Sequence, residues 1–236
     1  MSNYNEFKDV FGQIEKELKI ITESSNDKMP FTKLLDIASS KSKLVNYLSK
    51  EIRFYQEIRN LLEHDYDMRK AVIVSEQTIK GIKDVLVKLK NPPSIEKYFN
   101  RKLEKCSIND SIEDVVKTMA EKNFSQIPVF DEENFVGLLT NNTIARWFGT
   151  EIDKEELIIK NNPVRLVLEH EEFKENYSFI GRKSNLYEVL DLFSDRLEVN
   201  PYFDALLITE YGENDQKIIG IITKSDIPEI TRIFRK

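Results

Sequence analysis

Two short stretches of the 236-residue chain place side chains able to do chemistry at useful spacings. The first is Gly220-Ile221-Ile222-Thr223-Lys224-Ser225-Asp226. A carboxylate accepts two hydrogen bonds at once, which suits the adjacent hydroxyls of a ribose, so Asp226 is a candidate sugar ligand. Thr223 and Ser225 add hydroxyl donors, and the free backbone N–H groups where a helix begins favour phosphate. The same residues also read as plain structure, with Asp226 capping the last helix and Thr223 finishing a strand. The second stretch is Ile58-Arg59-Asn60-Leu61-Leu62-Glu63-His64. A histidine titrating near neutrality can move the proton of a ribose hydroxyl, and a guanidinium stabilises a pentavalent phosphate, so Arg59 and His64 are candidate catalytic groups that would need no metal. Equally, two cations near a helix C-terminus interact well with the macrodipole and need no further role. Glu63, Asp65 and Asp67 crowd the histidine and would repel an RNA backbone.

The elements that must position these groups fall into two kinds. From Tyr4 to Lys90 apolar residues recur at helical spacing: Phe7, Phe11, Ile14, Leu18 and Ile21, then Leu44, Leu48, Ile52, Tyr55, Ile58 and Leu62. The first helix ends in Ser24-Ser25-Asn26-Asp27, a short second one starts at Pro30 to Thr32, a third spans about Ser42 to His64, and a fourth about Met68 to Lys90. Asn91-Pro92-Pro93 stops the fourth and sets a domain boundary, giving a helical domain over 1–91 and a second over 92–236. Beyond it, short β-branched runs at Ser125–Phe130, Phe135–Leu139, Ala205–Thr209 and Lys217–Thr223 read as strands between short helices, one of them around Pro163–Leu168. Laying Ser111–Arg146 beside Asn185–Glu229 reveals an internal repeat, each copy a helix, a strand, an acidic turn, a second strand and a closing helix. The fold class expected is α+β: an N-terminal four-helix bundle, then a pair of units related by a pseudo-twofold repeat.

With both copies present, the second half resembles a tandem pair of CBS domains, with copies at about 93–149 and 176–236. The resemblance implies two clefts between the copies and ligands that carry adenosine groups. It implies that Thr223 and Asp226 contact a nucleotide, with Ser225 a weaker addition. The first copy departs from the pattern: Gly137-Leu138-Leu139-Thr140-Asn141-Asn142-Thr143 puts threonine where the ribose-gripping aspartate would stand. A second, weaker site at Thr140 and Thr143 lacks the bidentate acceptor, a loss on the order of 1–3 kcal/mol. Adenine is expected against Ile180, Ala205 and Leu206, residues that also fit ordinary core positions. Phosphate is expected near Lys224, Arg146, Arg182 or Lys183, each also readable as solvated surface. In the helical part, Arg59, Asn60 and His64 resemble the R-N-x-x-x-H signature of HEPN domains, whose active members cleave RNA as dimers.

Composition limits the remaining choices. Hydrophobic residues make up 40% and charged residues 32%, which excludes collagen-like, proline-rich and wholly disordered chains. No apolar run approaches the roughly 18–20 residues that span a bilayer, so no membrane association is expected. The single cysteine, Cys106, has no disulfide partner and cannot found a cysteine-based zinc site, which suits a reducing, cytoplasmic setting. The net charge is −6, but residues 1–90 hold 16 Lys/Arg against 14 Asp/Glu and the rest 19 against 27. No nucleophile, base and acid set or glycine-rich phosphate loop occurs in the second half, where His170 reads as a solvated loop residue. The expected function is a cytoplasmic sensor binding an adenine nucleotide (AMP, ADP, ATP, cyclic di-AMP or S-adenosylmethionine), without a required cofactor or metal, as a homodimer able to meet a protein partner. The alternatives are a HEPN-type ribonuclease gated by that nucleotide, for which RNA is the substrate, and a structural dimer with an empty CBS pair.

Overall fold

Apolar side chains three and four residues apart must find a common interior, and in the first half of the chain they do so between helices. The computed structural model describes residues 3–24, 26, 28–64, 73–99, 101–152, 161–171 and 176–234. It divides into two compact units: Met1–Ser94 with Asn185–Asp191, and Ile95–Ser184 with Leu192–Lys236.

The first unit contains helices α1 (Asn3–Thr22), α2 (Phe31–Lys41), α3 (Lys43–His64) and α4 (Glu76–Lys90). Phe7, Phe11, Ile14 and Leu18 of α1 are buried with Leu34, Leu35 and Ala38 of α2, Leu48 and Ile52 of α3, and Ile82, Val85 and Leu89 of α4. Tyr55 of α3 lies so close to α4 that a Cβ on Gly81 would collide with its hydroxyl, so a side chain at 81 would push the ring aside. Helix α4 starts later than its apolar spacing suggests. Ser75 is extended and its side chain accepts the Thr78 N–H at 3.1 Å, an N-cap that sets the start at Glu76. The expected earlier part, at 68–72, lies outside the described residues.

The second unit is built on two three-stranded sheets of the same topology. The first orders β1 (Cys106–Ser107), β2 (Gln126–Asp131) and β3 (Asn134–Thr140), and the second β4 (Tyr177–Gly181), β5 (Ala205–Thr209) and β6 (Gly220–Thr223). In each the first pair is parallel and the second antiparallel, so the repeat in the sequence is a repeat in the sheet. Strands β1 and β4 were not anticipated. Two residues are too few to show alternation, and β4 carries an unremarkable Tyr-Ser-Phe-Ile-Gly run. The short helix α5 (Ile95–Tyr98) precedes the first sheet, and α6 (Ile112–Lys122) and α7 (Asn141–Ile152) flank it. Then come α8 (Val164–Leu168), α9 (Leu186–Val199), a 3-10 turn at Lys224–Asp226 and α10 (Ile227–Phe234). Helix α9 is shared: its first turns group with the first unit, where Tyr187 packs on Tyr47 at 4.7 Å between ring centres and Asp191 pairs with Lys43 at 3.5 Å.

Both sheets meet in one cluster of Phe130, Leu207 and Ile218, flanked by Leu103, Phe135, Tyr177, Phe179 and Ile221. Phe135 meets Tyr177 edge to face at 5.0 Å, the arrangement aromatic quadrupoles favour. Among the described residues no helix is long and apolar enough to cross a membrane, and no group of three or more His, Cys, Asp or Glu could hold a metal ion.

Cys106, in β1, is 6% exposed, and burial, helped by the nearby Asp110 charge, pushes its thiol up to about 12. The thiolate is the reactive form. At pH 8 the folded protein should therefore resist iodoacetamide, with labelling at least about a hundredfold slower than for the same chain in urea. Mass spectrometry of the single cysteine reads this directly, and equal rates would show that β1 is not closed over the thiol.

Candidate functional site

The cleft at the second copy's motif exists because β1 is short. Strand β1 pairs only with Val129 and Phe130, so the β2 edge at Gln126 to Pro128 has no neighbour on that side. Proline at 128 is tolerated there, since no ladder bond is asked of it. Beside this open edge lies a cleft of about 240 Å³, whose other walls are the segment before β1 and the end of β6.

Asp226 sits where β6 turns into α10. Its Oδ2 accepts the Thr223 backbone N–H at 2.8 Å and the Thr223 hydroxyl at 3.0 Å, closing a capping box around the 3-10 turn. Its Oδ1 faces Arg101 Nη1 at 3.5 Å, and the same guanidinium reaches Glu229 Oε2 at 3.2 Å. The carboxylate thus caps the helix and lines the cleft together with Thr223 and Ser225. One of its two oxygens belongs to the fold. The apolar lining is Phe99, Leu103, Phe124, Pro128 and Ile221, with Phe124 36% exposed at the β2 entrance. The cations are Arg101, Lys102 and Lys122, and Lys122 is held by Glu104 at 2.7 Å. That hydrogen bond and charge keep the Glu104 carboxyl below its ordinary value.

Several expected residues lie elsewhere. Ile180, Ala205 and Leu206 are 4%, 0% and 0% exposed and belong to the sheet interior, paired with Ile208, Thr223 and Ile222. The reason is the longer partner strand of the second copy: β4 covers the whole of β5, and Asn176 just before it takes the Asp204 N–H at 2.6 Å. No free edge remains there for a base. Of the expected phosphate cations, Lys224 is tied to Asp204 at 3.2 Å, Arg182 is paired with Glu96 and Glu210, Lys183 is exposed, and none of the three lines the cleft. The cleft is lined instead by Arg101, Phe124 and Pro128 among others. Nothing in their local sequence marks them, because segments about a hundred residues from the motif supply them.

At the first copy, Thr140 and Thr143 are buried and bond each other, Oγ1 to Oγ1 at 3.0 Å, while the Thr143 N–H donates to Thr140 Oγ1 at 3.1 Å. The cavity beside them, lined also by Arg146, Asn176, Tyr202 and Asp204, measures about 20 Å³. That volume is of the order of one water. Among the described residues the second copy's motif thus borders the larger of these two cavities.

In the first unit Arg59 is engaged on its own helix, by Glu63 at 2.7 Å and by Asn60 Oδ1 at 3.4 Å, and Glu63 also meets Lys8 at 3.5 Å. His64 is the last residue of α3, and its side chain lies outside the described ones. His170 occupies a turn after α8, its N–H donating to Val167 O at 3.0 Å.

Residues 95–149 match the family model of the CBS domain. No curated protein matches the chain. Among solved structures, a CBS-domain protein from Burkholderia ambifaria MC40-6 is 19% identical with a TM-score of 0.44, over 60% of this chain and 93% of its own. CBSX2, solved in complex with AMP, is 18% identical with a TM-score of 0.43, over 61% of this chain and 99% of its own. The CBS domain pair of protein MJ0100, solved with 5-methylthioadenosine and S-adenosyl-L-methionine, is 15% identical with a TM-score of 0.43, over 61% and 97%.

The capping role of Asp226 has a consequence that needs no ligand. Asp226→Ala should cost about 1 kcal/mol of stability in urea denaturation, the usual value of a lost cap, whereas Asp226→Asn retains an acceptor and should cost a few tenths. Identical losses in the two variants would show that the box contributes nothing.

Proposed function

We propose that the second unit is a regulatory sensor that binds one adenine nucleotide per chain in the cleft of Asp226. The observation that carries this reading is the convergence, in about 240 Å³, of a carboxylate, an aromatic and apolar wall, an open strand edge and three cations. These are the groups a base, a ribose and a phosphate each require. The unpaired β2 edge offers backbone groups to the ring nitrogens of a base, with Phe124 and Pro128 as its apolar walls. Asp226 Oδ1 and the hydroxyl of Ser225 face the sugar. The family match over 95–149 supports the same assignment. Such a volume suits a mononucleotide better than cyclic di-AMP, which carries two nucleosides. Thr140 and Thr143 hold no second nucleotide in this reading, in keeping with the small cavity, about 20 Å³, that the described residues leave beside them.

In this reading the helical part, about 1–91, is the output element and the pair at 92–236 the input. Helix α9, whose first turns group with the helical unit, joins the two functions in one element. The cytoplasm, where nucleotides are abundant, is the proposed location. A ribonuclease role for Arg59, Asn60 and His64 finds no such support, since Glu63 neutralises the guanidinium that a phosphate would need.

Calorimetry with AMP tests the sensor directly. The wild type should bind one equivalent and Asp226→Ala should lose at least about tenfold in affinity, the value of a hydrogen bond to a charged group. A saturating nucleotide, at about 100 times its dissociation constant, should add about 2.7 kcal/mol to stability. Unchanged affinity in the variant would remove Asp226 from the site.

The sensor is further proposed to be a homodimer. A groove of about 430 Å³ between α6 and α7, lined by Val116, Met119, Ala120, Ile144, Ala145 and Phe148, leaves apolar surface open that a second copy would cover. Sedimentation equilibrium at tens of micromolar should return about twice the chain mass of 27.7 kDa. A monomer at that concentration would overturn the dimer.

A further inference from the structure

Arg101 stands out because it occupies the only part of Asp226 that the fold leaves free. Oδ2 of the carboxylate is committed to Thr223, and Oδ1 meets Arg101 Nη1 at 3.5 Å. At that distance the two form an ion pair rather than a hydrogen bond. The partners differ in freedom: the Asp226 side chain is 15% exposed and that of Arg101 64%. Arg101 has other contacts to fall back on, Glu229 at 3.2 Å and the face of Phe99 at 5.7 Å from the ring centre. An exposed pair of this kind is worth only about 0–1 kcal/mol, so it is easily exchanged.

A ligand hydroxyl that reaches Oδ1 competes with this arginine for the same oxygen. A bare nucleoside would take Oδ1 and leave the guanidinium only Glu229 and the Phe99 ring. A phosphorylated one brings an anion into the same cleft, and a guanidinium binds phosphate by two parallel charge-assisted hydrogen bonds, more strongly than it holds a single carboxylate oxygen at 3.5 Å. The other cations of the cleft cannot take this part as readily: Lys122 is already bonded to Glu104 at 2.7 Å, and a lysine offers a point charge without a fork.

We propose that Arg101 is the ligand-selecting residue of the cleft: it pairs with Asp226 when the site is empty and passes to the phosphate of a bound nucleotide, so that the site favours a phosphorylated nucleoside over the bare one. The proposal rests on the reading of this cleft as a nucleotide site. It assigns Arg101 opposite effects on two ligands that differ only in a phosphate. The arginine opposes adenosine, by competing for Asp226, and supports AMP, by meeting its phosphate.

The test is calorimetry of adenosine and AMP against the wild-type chain, Arg101→Ala and Arg101→Gln, the last retaining side-chain length in case the shorter variant unfolds. In either variant AMP should weaken by about tenfold to a hundredfold, as expected for lost hydrogen bonds to a charged group, while adenosine binds as tightly as before or a few times tighter. The preference for AMP should therefore collapse, together with most of its salt dependence. If AMP binds the wild type and the variants weaken both ligands by the same factor, or neither, Arg101 is not the selector although the cleft stands. If neither ligand binds the wild type, the nucleotide reading fails and the proposal with it.

Discussion

A carboxylate has two oxygens, and Asp226 needs one of them to end a strand and start a helix. Thr223 donates both its N–H and its hydroxyl to Oδ2, so the turn between β6 and α10 is held by the same side chain that lines the cleft. This makes the site rigid where it matters. The remaining oxygen is presented at a fixed angle by a group whose rotamer cannot change without losing the cap, which is how a binding residue is preorganised at little entropic cost. The same sharing means that alanine and asparagine act differently at this position. Asparagine preserves the cap and removes the charge, and alanine removes both.

The difference between the two copies begins not with their motif residues but with their first strands. In the second copy β4 pairs along all of β5, from Tyr177 opposite Ala205 to Gly181 opposite Thr209. In the first, the residues in the place of Tyr177, Ser178 and Phe179 are Leu103, Glu104 and Lys105, which leave the ladder, so β1 begins only at Cys106. Lys105 instead extends over the Phe130 ring, at 4.7 Å from its centre, and Glu104 turns to Lys122. A strand three positions shorter thus leaves one edge of β2 open. Thr143 in place of aspartate then completes the asymmetry, since two threonines satisfy each other and need no outside partner.

The sequence was most legible where period and chemistry agree. The stripes of α1 and α3, the repeat of strand, turn and strand, and β5 at Ala205–Thr209 followed from spacing alone. The motif residues Thr223, Ser225 and Asp226 do share a cleft. Ile180, Ala205 and Leu206 lie in the sheet interior rather than along the cleft, because an apolar run in a strand does not show which of its edges is paired. Ala205 and Leu206 look like any open edge until β4 is found beside them, and β4 itself has no clear alternation. Arg101 was invisible for another reason. Its position depends on the chain passing back across the second copy before β1, where Ile95 and Glu96 donate their N–H groups to Ser184 O and Arg182 O at 2.9 and 3.0 Å. A contact between residues 101 and 226 has no local signature.

That return crossing also bears on how binding at the cleft would be felt elsewhere. Arg101 lies three residues beyond the end of α5, whose Ile95 N–H is bonded to Ser184 O. Such connections transmit nothing by themselves, because a ligand shifts only an equilibrium between arrangements for which it has different affinities. If Arg101 exchanges partners as proposed, it supplies such a pair of arrangements at the cleft: paired with Asp226 it ties the segment before β1 to the turn at Lys224–Asp226, and a ligand phosphate would release that contact. The coupling available from one exchanged ion pair is bounded by the worth of the pair, about 1 kcal/mol or roughly a fivefold change in population. A sharper response would need more of the cleft wall before β1, Arg101 to Glu104, to move together with the arginine.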